Sequence, residues 1–484
     1  MLIKIVNPGL APISDEQLRA TLQIFMDRVA PSAESGNKKR TMLLPPDFTR
    51  FHSQAGKISA MLYSSSQSNG GSAFTITDVM PALGTHTPMT SSQCETMFGR
   101  GLCAADVFRV HDWRNDVVTI GHAPEEMVAR ATNGLVRKPW PAQLNRLVWE
   151  GKHDLVISIG QVVPHEVMGM ANFNKNLFVG VGGVQAINLS HFIGAVYGME
   201  RMMGKADNPL RAILNYASET FLQDKLPLYY VQTVMGTNAA SGELEMKGLF
   251  IGDDIQCYNE ACALSIQVNF TMLPEALTKV IVNLDEHEFH STWLGNKAIY
   301  RTRMAIATGG HLIVLGKGVH KFGEDEKIDD LIRKYGYVGT PAIMAAMEES
   351  DELKKNLSAV AHLIHGSSEG RFKITYCPGG LTREEVEGVG FTYADLEETR
   401  IEYNVDKLVD GWNEVNGEKV FFISNPALGL WAHPSRFDAD DDDDAAVGSA
   451  NESGSGQAGE FLDGQVGVDG SGGVGGYKKA VEGA

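Results

Sequence analysis

Four short clusters hold residue types capable of proton, metal or anion chemistry. Pro45-Pro46-Asp47-Phe48-Thr49-Arg50 follows the apolar run 41–44, and Gly84-Thr85-His86-Thr87-Pro88-Met89-Thr90 follows the run 74–79. Gly160-Gln161-Val162-Val163-Pro164-His165 closes the run 154–159, and the fourth stretch extends from His165 through Lys175 to His191. Each has an ordinary explanation when taken alone. Asp47 and Arg50 have the spacing of a local ion pair, His86 that of a hydrogen-bonded loop histidine. Lys175 lies between two asparagines like a solvated lysine, and His191 sits in an apolar run like a satisfied core histidine. Together they are three histidines, a lysine, an aspartate and an arginine at predicted strand ends or in glycine-rich loops. Imidazoles move protons near neutral pH and ligate borderline metals. A guanidinium grips a carboxylate with two parallel hydrogen bonds.

The elements that must position these residues alternate between strand and helix. Ser14-Asp15-Glu16-Gln17 has the form of a capping box, and Leu18, Leu22, Ile24 and Phe25 follow at helical spacing. Strands are predicted at the N-terminus, at 41–44, 74–79 and 154–159, and helices over 141–149 and 209–223. The pattern restarts near 275 with a strand at 280–284, a helix over 298–306, Gly309-Gly310 and a strand at 312–315. A helical insertion spans 339–365, and no internal repeat is visible. Strands alternating with helices predict an α/β fold of two α/β domains with mostly parallel sheets. The expected division is 1–274 for the N-terminal cofactor-binding and catalytic domain, and 275–437 for a C-terminal α/β domain. The remainder, 438–484, is an acidic Gly/Ser-rich tail expected to be disordered. Ligands of such sheets gather at the carboxyl ends of strands, so the site is expected there, facing the cleft between the domains.

Bulk properties narrow the partners. The chain of 484 residues has a formal net charge of −18, and 43% of its residues are hydrophobic. Segment 438–484 holds eleven acidic residues against two lysines, half of that charge in a stretch too poor in apolar side chains to fold alone. A balance this acidic argues against a nucleic-acid partner, but not against a small anion held by a local arginine. Five cysteines, none in a CxxC pair, give neither a disulfide framework nor a thiolate zinc site. The first residues lack the apolar core of a signal peptide. The most apolar stretch, 176–199, is interrupted by Gln185, Asn188, Ser190, His191 and several glycines, so it is not read as a membrane span. A cytoplasmic protein without membrane contact is expected.

The clusters resemble those of the lactate racemase family, over roughly residues 40–315. The loop DFTR is similar to the family's D-x-T-R, GTHTPMT to its G-T-H-R-P-M-T, and DLVISIGQVVPH to its strand ending in a histidine; VHDW at 110–113 also resembles a family motif. His165 precedes Lys175 by ten residues and His191 by twenty-six, the family's spacings between catalytic histidine, cofactor-bearing lysine and nickel-ligand histidine. The resemblance implies a nickel-pincer nucleotide attached covalently to Lys175 through a thioamide bond, with His191 as the protein ligand to nickel. It implies His86 and His165 as the acid/base pair, and Asp47 and Arg50 as supports of cofactor and substrate. It further implies racemisation or epimerisation of a small-molecule 2-hydroxy acid by hydride transfer to and from the cofactor.

Two stretches depart from the family. Met170-Ala171-Asn172-Phe173-Asn174-Lys175 stands where the family has a Ser-Gly-Gly-Arg-Lys type of turn. Trp293-Leu294-Gly295-Asn296-Lys297 aligns with a Tyr-Gln-x-x-Lys stretch, which keeps Lys297 as a substrate-side cation but replaces a polar glutamine by Leu294. An apolar residue cannot hydrogen-bond a substrate oxygen, so the expected substrate is not lactate itself. Three other readings fit the same residues. They are a zinc hydrolase or lyase with His86, His165 and His191 on the metal, a lysine Schiff-base enzyme using pyridoxal phosphate, and a cofactor-free relative that binds an anionic metabolite.

Overall fold

Two six-stranded sheets, one in each half of the chain, organise the molecule. The structure is a computed structural model that describes residues 1–31, 37–67, 73–238, 243–426 and 429–437; the acidic segment from 438 onward lies outside them. In chain order the first half contributes β1 (Leu2–Ile5), β2 (Lys39–Leu44), β3 (Phe74–Val79), β4 (Val117–Ala123), β5 (Trp140–Asn145), β6 (Leu155–Gln161), β7 (Leu228–Thr237) and β8 (Leu244–Gly252). The first sheet has the order β1-β8-β7-β6-β2-β3. Its β7-β6-β2-β3 portion is parallel, and β8 and β1 add antiparallel strands at one edge. Strands β4 and β5 form a separate antiparallel pair.

Parallel strands covered on both faces read as near-continuous apolar runs, and those here follow that rule. Met42, Leu44 and Val156 enter one core, while Leu43, Leu155, Ile157 and Ile159 enter the other. This is the alternation that a strand's two-residue period imposes. The second core is closed by helices Asp15–Val29 and Ala55–Ser66. The first of these helices opens with the expected capping box. Ser14 Oγ accepts from Gln17 N at 3.2 Å, and Gln17 Oε1 accepts from Ser14 N at 3.0 Å. Leu18, Leu22 and Phe25 are buried, but Ile24 lies on the solvent side of the helix.

The second half supplies β9 (Leu277–Asn283), β10 (Ile306–Gly316), β11 (Lys373–Pro378), β12 (Thr392–Tyr393), β13 (Gly411–Val415) and β14 (Glu418–Ile423). The second sheet has the order β12-β11-β10-β9-β14-β13, parallel except for the β13/β14 hairpin. The expected α/β class with mostly parallel sheets is therefore the observed one. Among the described residues no helix is long and apolar enough to cross a membrane.

Two local expectations fail. The stretch 141–149 is not one helix. Trp140–Asn145 is a fully buried strand paired with β4, and only Arg146–Glu150 is helical. Its apolar residues are buried on both strand faces, and the Asn145 side chain starts the helix by accepting from Leu147 N at 2.9 Å. The helix predicted over 298–306 stops at Thr302, and strand β10 begins at Ile306 and runs through Gly309-Gly310. Gly309 sits at φ +79°, a left-handed conformation that its missing Cβ allows without strain.

Contacts between the halves set the cavity described below. The helix Leu357–His365, part of the insertion noted in the sequence, packs on the helix Val184–Tyr197 that carries His191. Glu200, just beyond that helix, receives Arg303 Nε at 3.1 Å and Arg371 Nε at 3.0 Å. Burial alone would hinder ionisation of Glu200, but the two guanidinium charges hold its carboxyl below the ordinary range. Arg303 also donates to the carbonyl oxygens of His365 at 3.2 Å and Ser367 at 3.3 Å. One carboxylate of the first half thereby anchors the end of a helix in the second.

Candidate active site

All seven residues singled out by spacing line one cavity of about 500 Å³. Asp47 and Arg50 follow β2, His86 follows β3, and His165 follows β6; these three strands are adjacent in the sheet. Lys175 and His191 come from the segment after His165, and Lys297 comes from the second half. The loops after β2 and β3 continue side by side beyond the sheet. Ala82 N donates to Pro45 O at 2.8 Å, and Gly84 N to Gly180 O at 2.8 Å.

Asp47 does not pair with Arg50 as its local spacing suggested. Its Oδ2 meets His86 Nδ1 at 2.6 Å, and its Oδ1 accepts from Thr49 Oγ1 at 2.5 Å. Burial of this carboxyl would raise its pKa, but the hydrogen bonds from His86 and Thr49 outweigh burial and hold it below the usual carboxylate range. A carboxylate on Nδ1 fixes the tautomer of His86, so Nε2 carries the lone pair. The His86 side chain is 56% exposed, which leaves Nε2 reachable.

His165 has the opposite arrangement. Its Nδ1 faces two backbone N–H donors, Val167 N at 3.1 Å and Met168 N at 3.3 Å. An acceptor at Nδ1 places the hydrogen of the neutral ring on Nε2. Burial keeps the ring neutral by pushing its pKa well down. The residue stands in a short hairpin, Pro164–His165 against Gly169–Met170. Gly169 lies at φ +71°, and a Cβ there would come within 2.2 Å of Lys205 O. Only glycine permits this close approach of the two backbones.

Lys175 is presented by a strained turn. Asn172 and Phe173 have φ of +66° and +57°, uncommon values for residues bearing a Cβ and a cost that surrounding contacts must offset. Phe173 stacks on Tyr258 with ring centroids 5.1 Å apart and packs on Tyr230 at 4.3 Å. The buried Arg211 donates to Met170 O at 2.8 Å and Asn172 O at 3.4 Å, and also to the Asn174 side chain. Its guanidinium lies 4.3 Å over the Tyr258 ring. Arg211 is the functional support that sequence reasoning missed. It sits in a helix thirty-six residues after Lys175, and nothing in its local sequence marks it.

The amine held by this turn has no hydrogen-bond or ion-pair partner among the described residues. Burial, reinforced by the charge of Arg50, pushes the Lys175 pKa down to about 8. About a tenth of the amine is then neutral and nucleophilic at pH 7, far more than for an ordinary lysine. His191 donates Nδ1–H to Ile187 O at 2.8 Å, leaving the Nε2 lone pair unused, and burial lowers its pKa. Among the described residues no three or more His, Cys, Asp or Glu side chains converge as a metal-binding group. The alternative with zinc on His86, His165 and His191 therefore lacks its ligand set.

The second half forms the opposite wall. Trp293 and Leu294 line the cavity, as does Lys297, which has Glu288 Oε1 at 3.5 Å. The insertion adds Ser358, Ala361, His362 and His365 to this wall. His362 stacks on Trp293 at 4.1 Å and meets Tyr300 Oη at 3.1 Å and Tyr337 Oη at 2.9 Å. Burial pushes His362 and His365 down to about 3.

A desolvated lysine amine and three separately oriented imidazoles thus share one cavity of an α/β chain. Residues 12–203, which carry six of the seven residues, match the family model of the lactate racemase N-terminal domain. That match identifies residues 12–203 as similar to a lactate racemase N-terminal domain. Among solved structures, its fold is similar to that of a protein from Thermotoga maritima, at 20% identity over 89% of this chain and 100% of that one, with a TM-score of 0.67. It is also similar to the lactate racemase apoprotein from Thermoanaerobacterium thermosaccharolyticum, at 17% identity over 87% of this chain and 90% of that one, with a TM-score of 0.60. These two likenesses are of fold. No curated protein sequence matches the chain.

Two predictions follow from the geometry. Arg211→Leu leaves buried carbonyl oxygens without donors and is expected to lower stability by about 3 kcal/mol. Denaturant unfolding measures this, and a change below about 0.5 kcal/mol would show that Arg211 does not hold the turn. His165, His191, His362 and His365 titrate below their unfolded value of about 6.5. The unfolded chain therefore binds protons that the folded one does not as pH falls. Their contribution is intact above about pH 6.5 and is lost below it, so Tm should decline between about pH 6.5 and 5, before most carboxylates titrate. A flat profile over that window would contradict the neutral assignment.

Proposed function

We propose that this chain is an isomerase that racemises or epimerises a 2-hydroxy acid other than lactate, with a nickel-pincer nucleotide carried on Lys175. The observation that carries this reading is the unpartnered Lys175 amine, lowered to about 8, in one cavity with His86, His165 and His191. The match of residues 12–203 to the lactate racemase N-terminal domain supports it.

The residues present fit that group. Lys175 offers a nucleophile to a thioamide bond. His191 has the hydrogen-bonding pattern of a metal-ligating histidine, with one nitrogen donating to a backbone carbonyl and the other free. Imidazole suits Ni(II). When bound, the nucleotide supplies reversible hydride acceptance, which no side chain can provide.

The chain's own residues manage the proton and the substrate. The C–H beside an ionised carboxylate is a very weak acid, so the hydroxyl proton must leave as the hydrogen on carbon leaves as hydride. His86 Nε2 takes the hydroxyl proton, while Asp47 holds the imidazole in the required tautomer and stabilises the cation formed. His165 Nε2–H gives a hydrogen bond to the keto oxygen when it turns toward that side, its Nδ1 held by Val167 and Met168. The proton taken by His86 goes back to the substrate oxygen as the hydrogen returns to carbon, so that no net proton is gained or lost. Arg50, whose side chain has no partner among the described residues, grips the carboxylate beside the reacting carbon. Trp293 and Leu294 provide an apolar wall where a hydrogen-bonding side chain is expected for lactate.

The direct test is to make the protein in cells that also produce the nucleotide, and then to assay nickel and the mass of the Lys175 peptide. Wild type should carry close to one nickel per chain and an adduct on Lys175, and folded Lys175→Ala should carry neither. Normal nickel loading of Lys175→Ala would overturn the assignment. In loaded protein, His86→Ala and His165→Ala should each abolish interconversion in both directions, followed by chiral chromatography. An undiminished rate in either variant would remove that residue from the mechanism. Asp47→Asn should lower kcat by about a hundredfold or more through loss of the tautomer, and an unchanged kcat would leave Asp47 without that role.

A further inference from the structure

The wall supplied by the second half comes from three short helices, Thr292–Gly295, Lys297–Thr302 and Leu357–His365. Trp293, Leu294, Lys297, Tyr300 and Arg301 line the cavity at spacings of three and four, as do Ser358, Ala361, His362 and His365. Side chains at those spacings share a face. Lys297 and Arg301 are therefore two cations one turn apart, both on the cavity. Like charges at that spacing repel each other unless an anion lies between them or beside them.

The protein supplies only part of that anion. Lys297 has Glu288 at 3.5 Å. Arg301 has no hydrogen bond or ion pair among the described residues. Its charge acts on Glu166, which also lines the cavity and stays ionised in spite of burial, but the two do not pair. His365, from the other helix, is 6% exposed, and neither of its ring nitrogens has a partner. A buried polar group without a partner is unusual in a folded protein. Lys297, Arg301 and His365 thus line the cavity from the second half as three groups able to meet an anion, while Arg50 lines it from the first.

We propose that Arg301, together with Lys297 and His365, binds a second acidic group of the substrate, and hence that the substrate is a dicarboxylic 2-hydroxy acid. This rests on the reading of the chain as a hydroxy-acid isomerase. The planar guanidinium matches a carboxylate with two parallel hydrogen bonds, and the aromatic pair Trp293 and His362 bounds the space between the two acidic ends. The same chemistry would hold a phosphate of the nucleotide, so the test separates the two sources.

Binding of malate, lactate and inorganic phosphate is measured by calorimetry, with and without the nucleotide, on wild type, Arg301→Gln and the conservative Arg301→Lys. The wild type should bind malate at least about tenfold more tightly than lactate. Arg301→Gln should lose that difference while its lactate affinity and nickel content stay unchanged, and Arg301→Lys should retain part of it. Equal affinity for malate and lactate in wild type would overturn the proposal, as would undiminished malate binding by Arg301→Gln. An Arg301→Gln protein that keeps malate affinity but no longer loads nickel would assign the anion to the nucleotide and overturn it too. Malate bound selectively through Arg301 but not interconverted by nickel-loaded protein would uphold the subsite and sink only the isomerase reading.

Discussion

A buried guanidinium that fastens a strained turn by its carbonyl oxygens is the constraint on which the site depends. Arg211 has no carboxylate partner. Its two Nη groups donate to Met170 O, Asn172 O and the Asn174 side chain, its Nε has no hydrogen-bond partner among the described residues, and the guanidinium stacks on Tyr258. A charge buried this way is costly unless its hydrogen bonds are satisfied. The return is a backbone held at left-handed φ for two consecutive non-glycine residues. The next turn then delivers the Lys175 amine into the cavity without a partner. A glycine-containing turn would reach such dihedrals at low cost. This chain reaches them with asparagine and phenylalanine, and compensates with aromatic stacking and Arg211.

The histidines show how backbone groups divide labour among identical side chains. His86 faces a carboxylate, His165 faces two backbone N–H groups, and His191 faces a carbonyl. These partners leave a lone pair on Nε2 in His86 and His191 and a hydrogen on Nε2 in His165. Two imidazoles thereby offer an Nε2 lone pair and one offers an Nε2–H, the division that the proposed function uses. The division depends on the halves staying together, because Glu200, Arg303 and Arg371 hold the helix that closes the cavity over His191.

Much of this site was legible in the sequence because its residues are local to strand ends. Asp47, His86 and His165 each follow a parallel strand within a few residues, and the spacing from His165 to Lys175 and His191 is carried by one continuous segment. The α/β alternation and the first capping box were visible for the same reason. What remained hidden depends on contacts distant in sequence. Asp47 was expected to support cofactor and substrate, yet its partner is a histidine thirty-nine residues away. Arg211, Arg301 and His365 carry no local signature, and the insertion around 339–365 gained meaning only when its helix packed on the His191 helix. The segment 141–149 was misread because a fully buried strand followed by one helical turn has the same apolar content as a short helix, and periodicity alone does not separate them.

The central claim is that this fold presents one lysine to carry a cofactor and one histidine to ligate its metal. Nickel K-edge X-ray absorption on the loaded protein tests it most directly. The account predicts a single imidazole on nickel, with its signal lost in His191→Ala. Two or more imidazoles on the metal, or a spectrum unchanged in His191→Ala, would contradict it.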